Sequence, residues 1–388
     1  MPFHNFVIKI HGRCDLACDY CYMYRSVDQV WRTQPRTMSP AVMESTARRI
    51  GEHARTHGLT AMGIVLHGGE PLLAGKEFIT RAVRLIRREV DETVRITHAI
   101  QTNGLRLDDE YLELFAELDV RVGISMDGDR AAHDRHRRRA DGRGSHTQVA
   151  AAVDKLAEGP YRPLFSGLLC TIDLDNDPVR TYRALLRHRP PMVDFLLPHG
   201  NWSTPPPGRR PGTADTPYAD WLIQVFEQWY GAPVQETRVR ILEQIIALLL
   251  GGRAFVEGLG LEPLRYVVIE TDGSISQDDT LRTTYPGAAA TALHVLSDPF
   301  DRALNQPALV ARRSGLAALA AGCQGCRLRR VCGGGHYAHR YRADGTGFAN
   351  PSVYCPDLTA LIDHVRRRVA RDVDRLRSAP SPTESPTR

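Results

Sequence analysis

The chain has 388 residues, of which 42% are hydrophobic and 24% charged, and its formal net charge is +5. This is a globular composition, long enough for one large domain and a smaller one, and its basic excess is too small and too dispersed to indicate nucleic-acid binding. No stretch approaches the roughly 20 apolar residues of a membrane span, and the N-terminus lacks a signal-peptide pattern, so we expect a cytoplasmic protein without a membrane partner.

Short apolar runs alternate with helical patterns through the first half of the chain. The predicted strands cover 6–10, 63–66, 95–100, 120–125, 164–171 and 193–197, and the predicted helices cover 39–57, 76–90, 108–117, 146–158 and 177–188. Strand-then-helix repetition builds a parallel sheet with helices packed outside, and six units suffice for an incomplete (β/α)6 barrel of the TIM type. Because such folds place their sites at the carboxyl ends of the strands, the polar turns there are candidate site segments.

The second half predicts a smaller domain. A Pro/Gly-rich stretch at 203–212 is either a mobile lid or a plain linker, and an apolar helix follows near 241–249. An Asp-Gly turn at 272–273 predicts a β-hairpin, and a basic helix runs to about residue 377. We expect a barrel domain over 1–250, a cysteine-rich domain over 251–377 and a disordered Ser/Pro/Thr-rich tail over 378–388.

Seven of the eight cysteines fall into two tight groups, which favours metal ligation over disulfides, while Cys170 is predicted to lie in the core. The first group, Cys14, Cys18 and Cys21, has the spacing C-x3-C-x2-C. Three thiolates can hold three corners of a 4Fe–4S cube and leave the fourth iron open to another ligand, as in catalytic metal sites. A structural zinc site is the alternative, although zinc would need a fourth protein ligand.

In a loop after the first strand of a β/α repeat, this spacing resembles the radical S-adenosylmethionine (SAM) superfamily. The resemblance implies that the open iron binds the amino and carboxylate groups of SAM. It also implies that one-electron reduction yields a 5′-deoxyadenosyl radical, which abstracts hydrogen from the substrate. The cofactors would then be a SAM-binding 4Fe–4S cluster and SAM itself, with the protein supplying binding and positioning.

The turns after the other predicted strands match further motifs of that superfamily. Glu70, in a Gly-Gly-Glu-Pro turn, is expected to receive the SAM ammonium, and Arg137, in an HDxxR-like segment, the SAM carboxylate. Tyr20 resembles an aromatic residue that packs near adenine. The residues that the resemblance assigns to cofactor binding are Tyr20, Gly68, Gly69, Glu70, Asn103, Ser125 and Arg137.

The second cysteine group has the pattern C-x2-C-x5-C…C and resembles the SPASM domain of radical SAM peptide maturases. Its members are Cys323, Cys326, Cys332 and Cys355. In its full form that domain carries seven cysteines and two auxiliary 4Fe–4S clusters, but here 272–279 lacks a cysteine and His336 stands where another is usual. The resemblance therefore implies one auxiliary 4Fe–4S cluster, with a structural zinc ion as the alternative. His336 and His339 are expected to pack or to contact a peptide.

Two further segments, 195–202 and 332–341 continuing to 350–355, resemble the FxsB-type branch of these proteins, and the resemblance covers about residues 5–370. That branch forms cyclophanes by joining an aromatic ring carbon of a precursor peptide to the β-carbon of a nearby residue. The implied steps are β-hydrogen abstraction, addition to the ring, and loss of a proton and an electron. Asp279 is the candidate base, although a salt bridge would explain it equally well. The auxiliary cluster is the candidate electron acceptor.

The resemblance implies a ribosomally synthesised precursor peptide as partner, with an electron donor such as flavodoxin or ferredoxin. Because the chain begins almost directly with its first strand, we expect no appended N-terminal peptide-recognition domain. The alternatives within the superfamily are formylglycine formation and thioether formation, both usually associated with the full seven-cysteine set. Outside it, the alternative is a zinc-binding protein without catalytic activity.

Overall fold

The computed structural model describes residues 1–254 and 257–378, which form a ten-stranded sheet with helices between its strands. The strands are β1 (Asn5–His11), β2 (Ala61–Gly68), β3 (Arg95–Thr102), β4 (Val120–Ser125), β5 (Phe165–Thr171), β6 (Met192–Leu196), β7 (Arg238–Val239), β8 (Tyr266–Ile269), β9 (Ser274–Ser276) and β10 (Ala290–His294). The helices of the described residues are α1 (Tyr22–Arg25), α2 (Pro40–Thr56), α3 (Lys76–Glu89), α4 (Asp109–Glu117), α5 (Arg130–His136), α6 (His146–Ala157), α7 (Pro178–Leu186), α8 (Pro217–Tyr230), α9 (Arg240–Leu249), α10 (Phe300–Leu304), α11 (Pro307–Arg313), α12 (Ala321–Gln324), α13 (Arg329–Cys332) and α14 (Cys355–Ser378).

The first six strands pair in parallel and in chain order, with helices in the connections, and β7 extends β6 at one edge. This confirms the partial (β/α)6 barrel. The predicted strands and helices of this half coincide with the observed elements to within about two residues at most ends. Helices start at polar caps: Ser39 accepts the N–H of Val42, and Asp108 accepts that of Tyr111.

Helix α8 was not predicted from the sequence, although its pattern carries the signal. Its apolar residues recur three and four positions apart, and they form one buried face. That face packs on α7 and α14. The helix therefore joins the barrel to the C-terminal part of the chain.

The remaining strands extend the sheet on its other side. β8 pairs in parallel with β1, and β9 and β10 follow antiparallel, with Gly273 in the predicted hairpin turn at a φ of +98°. The apolar core is continuous from β1 to α14. The division at residue 250 stays a prediction, since both the sheet and the core cross it. Of the predicted tail, 379–388 lies outside the described residues.

The segment 203–212, expected as a lid or a linker, is fixed against the rest of the fold. Arg209 is 4% exposed, donates to the carbonyl of Val353 at 3.1 Å, and lies 3.3 Å from a carboxylate oxygen of Asp357. The Tyr218 hydroxyl donates to the carbonyl of Pro207 at 2.6 Å. These contacts make the segment a wall of the cavity described below. None of the described helices has the length and apolar character required for a membrane crossing.

Candidate functional site

The first cysteine group lies in the loop between β1 and α1, at the carboxyl end of the barrel strands. All three thiols line one cavity of about 740 Å³. The predicted SAM contacts that line the same cavity are Tyr20, Gly68, Gly69, Asn103, Ser125 and Arg137. The structure thus brings together turns that lie more than a hundred residues apart in the chain.

The environment of these thiols suits a metal cluster. Burial raises the pKa of Cys18 to about 11 and that of Cys14 to about 12, so the thiolates need a cationic partner to persist at neutral pH. Zinc would hold its sulfur ligands about 3.8 Å apart, given a Zn–S bond of about 2.3 Å. Among the described residues, no three cysteine sulfurs lie within 4.8 Å of one another. The three thiols thus lack the close spacing that a single zinc ion would impose.

Glu70 lies beneath the cavity and is fully buried. Its carboxylate accepts hydrogen bonds from the N–H of Leu72 at 3.0 Å, the N–H of Asn103 at 2.8 Å and the hydroxyl of Thr102 at 2.7 Å. Burial raises its pKa to about 7. In this structure Glu70 therefore joins the turns after β2 and β3, and its expected contact with the SAM ammonium stays a prediction.

The two glycines before Glu70 allow the backbone to approach closely. Gly68 has a φ of +149°, and a Cβ there would collide with the carbonyl oxygen of His11 in the neighbouring strand. A Cβ at Gly69 would collide with the Tyr24 hydroxyl. No other residue type fits either position without a shift of the floor of the cavity.

Arg137 is held in a buried group with Tyr20 and Asp127. It donates to the Tyr20 hydroxyl at 2.7 Å, and the Tyr20 hydroxyl in turn donates to the Asp127 carboxylate. The Nε of Arg137 is buried and has no hydrogen-bond partner among the described residues. A buried donor without a partner is costly, so this atom suits an anionic ligand group such as the predicted carboxylate.

Two other predicted contacts are oriented by neighbouring side chains. Asn103 donates to Asp15 at 2.8 Å, and Ser125 accepts a hydrogen bond from Gln101 at 3.1 Å. Both line the cavity. Sequence reasoning assigned no role to Asp15, in the loop after β1, or to Gln101, in β3, because their contacts with Asn103 and Ser125 depend on tertiary packing.

The second cysteine group is assembled by α12, α13 and the start of α14. Burial and then mutual repulsion raise the pKa of Cys323, and burial raises that of Cys332 to about 11. Arg340 donates to the carbonyls of Gly333, Gly334 and Gly335 at 2.7–3.0 Å, which shapes the loop after Cys332. Cys355 raises the pKa of both Cys323 and Cys332 by repulsion, so these thiols lie near one another, and four thiolates match the ligand set of a complete cluster.

The segments that lack the usual cysteines form an ion cluster instead. Arg312 is 2% exposed at its side chain and pairs with Asp278 at 2.8 Å and with Glu257. His336 lies 3.5 Å from Glu257. The ligand atoms of Glu257, Asp278 and His336 are close enough for a metal ion, but the guanidinium stands between the two carboxylates. Sequence reasoning missed Arg312 and Glu257, for which no local pattern gives a signal.

His53, His57 and Asp301 also have ligand atoms close enough for a metal ion. In the structure each histidine instead forms a hydrogen bond of 2.8 Å with Asp301, and these bonds join the end of α2 to α10. The Nε2 of His53 accepts the N–H of Phe3 at 3.1 Å, so its Nδ1 carries the proton and donates to Asp301 at 2.8 Å. Neither nitrogen of His53 then has a lone pair free for a metal.

Asp279, the predicted base, lies in another buried ion cluster. Its carboxylate pairs with Lys9 and lies 3.6 Å from the Nε of Arg282, while Lys9 also contacts Glu270 at 3.1 Å. Lys9 is 2% exposed. The carboxylate is thus engaged by two cations, as in the salt-bridge alternative, and its role as a base stays a prediction.

Comparison with known proteins agrees with this geometry. Residues 8–185 match the family model of the Radical SAM superfamily. The serine-type anaerobic sulfatase-maturating enzyme of Klebsiella aerogenes is 34% identical over 156 residues, which are 40% of this chain and 37% of that protein. The cysteine-type enzyme of Clostridium perfringens (strain 13 / Type A) is 26% identical over 282 residues, which are 71% of this chain and 74% of that protein. The chain thus matches little more than a third of the first relative.

Solved structures show the same fold over nearly the whole chain. Native anSMEcpe with bound AdoMet and the Cp18Cys peptide has a TM-score of 0.80 at 21% identity, covering 96% of this chain and 99% of that one. SuiB of Streptococcus suis bound to its precursor peptide SuiA has a TM-score of 0.58 at 13% identity, covering 91% and 76%.

A partial β/α barrel with a C-x3-C-x2-C loop over the ends of its strands is a radical SAM domain. Residues 8–185 thus match a radical SAM domain, and the chain as a whole has the fold of anSMEcpe.

Proposed function

We propose that the chain is a radical SAM enzyme, with a 4Fe–4S cluster and SAM as cofactors. It would modify a ribosomally synthesised precursor peptide by joining an aromatic ring carbon to the β-carbon of a nearby residue. The observation that carries the proposal is the mixed lining of the cavity. It is lined by the cysteine loop and by the polar turns assigned to SAM binding. It is also lined by apolar side chains that suit an aromatic ring, namely Tyr22, Leu174, Leu197, Pro198, Pro205 and Pro207.

When bound, the cluster and SAM supply a radical that removes a hydrogen atom from the substrate. The chain holds the cofactor through the first cysteine group and the surrounding turns, and it excludes water with a fixed wall. Trp202 contributes to that wall by donating its indole N–H to the carbonyl of Pro351 at 2.7 Å. A fixed wall keeps the reacting groups in place and limits quenching of the substrate radical by solvent.

A peptide is the substrate class that the comparisons favour. SuiB and anSMEcpe are each described with a bound peptide, and this chain has their fold. We extend the peptide substrate to this chain on that basis, together with an electron donor such as flavodoxin or ferredoxin.

Formylglycine formation is the second candidate, because the curated relatives are sulfatase-maturating enzymes. Both reactions begin with removal of a β-hydrogen, so one site serves either. We favour the carbon–carbon bond because the cysteine pattern departs from the full set. Asp278 and His336, which lie where further cysteines are expected, belong instead to an ion cluster with Arg312 and Glu257.

The four cysteines of the second group are proposed to hold one auxiliary 4Fe–4S cluster, which would bring the total to about eight irons. An oxidised cluster is a suitable acceptor for the electron that leaves the ring. Asp279 enters the proposal as the predicted base, and it would have to exchange its partner Lys9 to accept a proton.

The test uses anaerobically reconstituted full-length protein with reductant, SAM and a peptide from a short neighbouring reading frame. Crosslinking removes two hydrogens from the peptide. Oxidation of a serine to formylglycine removes two hydrogens as well, so the product is also treated with a hydroxylamine probe for aldehydes. We expect loss of two hydrogens, no reaction with the probe, and a fragmentation gap between the joined residues. An aldehyde in the product would replace the first candidate by the second.

A further inference from the structure

The segments 195–202 and 332–341, which resemble the FxsB-type branch, contact each other in the structure. The N–H of Trp202 donates to the carbonyl of Tyr341 at 3.1 Å, which ties 195–202 to 332–341. The contact brings three histidine rings together, with centroid distances of 5.7 Å for His199–His336, 5.8 Å for His199–His339 and 5.0 Å for His336–His339. Neither segment shows this cluster alone.

Of the three, His199 lines the cavity. Its ring packs edge-on against Tyr22, with centroids 5.0 Å apart, and Tyr22 directly follows the cluster ligand Cys21. The Nδ1 of His199 is buried and has no hydrogen-bond partner among the described residues. Burial, and then repulsion from His336, lower its pKa to about 4. His199 is therefore a neutral imidazole with one free lone pair, beside the region where substrate must react.

The other basic groups near the cavity are engaged by neighbours or belong to the turns assigned to SAM binding. His136 lines the cavity and contacts Asp19 at 2.9 Å and Asp173 at 3.2 Å. Asp173 and Asp175 also line it and lie 2.6 and 3.9 Å from Arg135. Asp279 is paired with Lys9 and lies close to Arg282. His67 lines the cavity, but it directly precedes Gly68 in the turn assigned to SAM binding. His199 instead follows Pro198 in the chain, and both line the cavity together with the apolar residues named above.

We propose that His199 is the base that accepts the proton leaving the aromatic ring during crosslinking, an inference that rests on the proposed function. The β-carbon loses one hydrogen atom to the SAM-derived radical, and a carbon–carbon bond then forms between the β-carbon and the ring. The ring carbon still carries its hydrogen. Its proton passes to the imidazole of His199 and one electron passes to an oxidised iron–sulfur cluster, so that aromaticity returns and the charges balance.

The test compares wild type, H199Q, D279N and H188Q as reconstituted full-length proteins. The peptide carries deuterium at the reacting β-carbon. Deuterium in 5′-deoxyadenosine reports hydrogen abstraction, and the crosslinked product reports completion. His188 is the control because it forms a surface contact with Asp154 at 2.6 Å, outside the cavity lining.

We expect H199Q to transfer deuterium about as fast as wild type while the crosslinked product falls by about 100-fold, the lower range for loss of a general base. H188Q should retain both deuterium transfer and crosslinking at the wild-type level. The proposal is overturned if H199Q crosslinks like wild type, if it loses deuterium transfer as well, or if D279N alone shows the uncoupled pattern. H199N replaces H199Q if the latter does not retain wild-type iron. Wild type that transfers deuterium but forms no crosslink would reject the proposed function itself.

Discussion

The guanidinium of Arg312 lies 2.8 Å from the carboxylate of Asp278, and both side chains are 2% exposed. Asp278 occupies the segment where the SPASM pattern expects a cysteine, and Arg312 is contributed by α11, which carries no recognised motif. Although burial opposes it, the attraction of Arg312 lowers the pKa of Asp278 well below its usual range. The pair therefore remains ionised at neutral pH and shapes the region between the cavity and the second cysteine group.

Removing Arg312 should be strongly destabilising, because it leaves Asp278 and Glu257 buried without their cation. We expect R312M to lower the free energy of unfolding by about 3–5 kcal/mol, measured by urea denaturation. The control is R84M, since Arg84 and Glu117 form an exposed pair at 3.0 Å and its loss should cost less than about 1 kcal/mol. Equal stabilities for the two variants would show that the buried pair contributes nothing special.

His98, in β3, is 1% exposed, and neither of its ring nitrogens has a hydrogen-bond partner among the described residues. Burial, reinforced by Arg87, lowers its pKa to about 4 from an ordinary value of 6.5. Below pH 6.5 the unfolded chain therefore protonates His98, whereas the folded chain keeps His98 neutral down to about pH 4. The stability associated with neutral His98 is present above pH 6.5 and is lost as the pH falls toward 4.

Replacing His98 by leucine should remove this loss of stability at low pH. We expect H98L to be more stable than wild type by about 1 kcal/mol at pH 7, because two unsatisfied nitrogens are gone. The advantage should grow by a few kcal/mol toward pH 4, at about 1.4 kcal/mol per pH unit. Unfolding curves at pH 7, 5.5 and 4.5 measure it, and a constant difference across these values would contradict the assigned pKa.

The two cysteine groups should each account for about half of the iron. We expect C18A and C326A each to retain about four of eight irons, with C18A alone losing all SAM cleavage. The control is C170A, because Cys170 is buried in β5 at 1% exposure and should bind no metal. The C170A substitution should lower only the stability of the protein. Zinc in place of iron at Cys326 would restore the structural-zinc alternative for that group.

Arg137 should bind SAM through the fork of its guanidinium. We expect R137K to raise the Kd for SAM by about tenfold, since lysine offers a point charge in place of two parallel donors. R139K, an exposed neighbour that contacts Gln148, should bind normally. Equilibrium dialysis of reconstituted protein measures both. An unchanged Kd in R137K would remove Arg137 from the SAM site.

The contacts of Arg209 should hold 203–212 in place as a wall of the cavity. R209A removes the contacts to Val353 and Asp357, so the amides of Ser203, Thr204 and Gly208 should exchange with solvent at least about tenfold faster. R210A alters an exposed side chain and should leave exchange unchanged. Hydrogen exchange followed by mass spectrometry separates these cases, and fast exchange in the wild type would mean that the segment opens on its own.

Much of this protein could be predicted from the sequence because the relevant signals are local. The alternation of apolar strands and helices in the first half reports which face of each element is buried, and packing preserves it. The spacing of Cys14, Cys18 and Cys21 is set within one loop, as is the Asp-Gly turn of the hairpin, so each is visible without knowledge of the fold. The absence of cysteine from 272–279, and the histidine at position 336 where another cysteine is usual, are visible in the sequence for the same reason.

The tertiary structure alone decided which distant groups meet. Only the tertiary structure shows that Lys9 of β1 pairs with Asp279, and that Thr102 and Asn103 donate hydrogen bonds to the carboxylate of Glu70. His199 and His339 lie 140 residues apart, and no periodicity predicts their contact. Such contacts depend on how whole elements pack, because the burial and charge of a side chain are set by neighbours that the chain brings together only on folding.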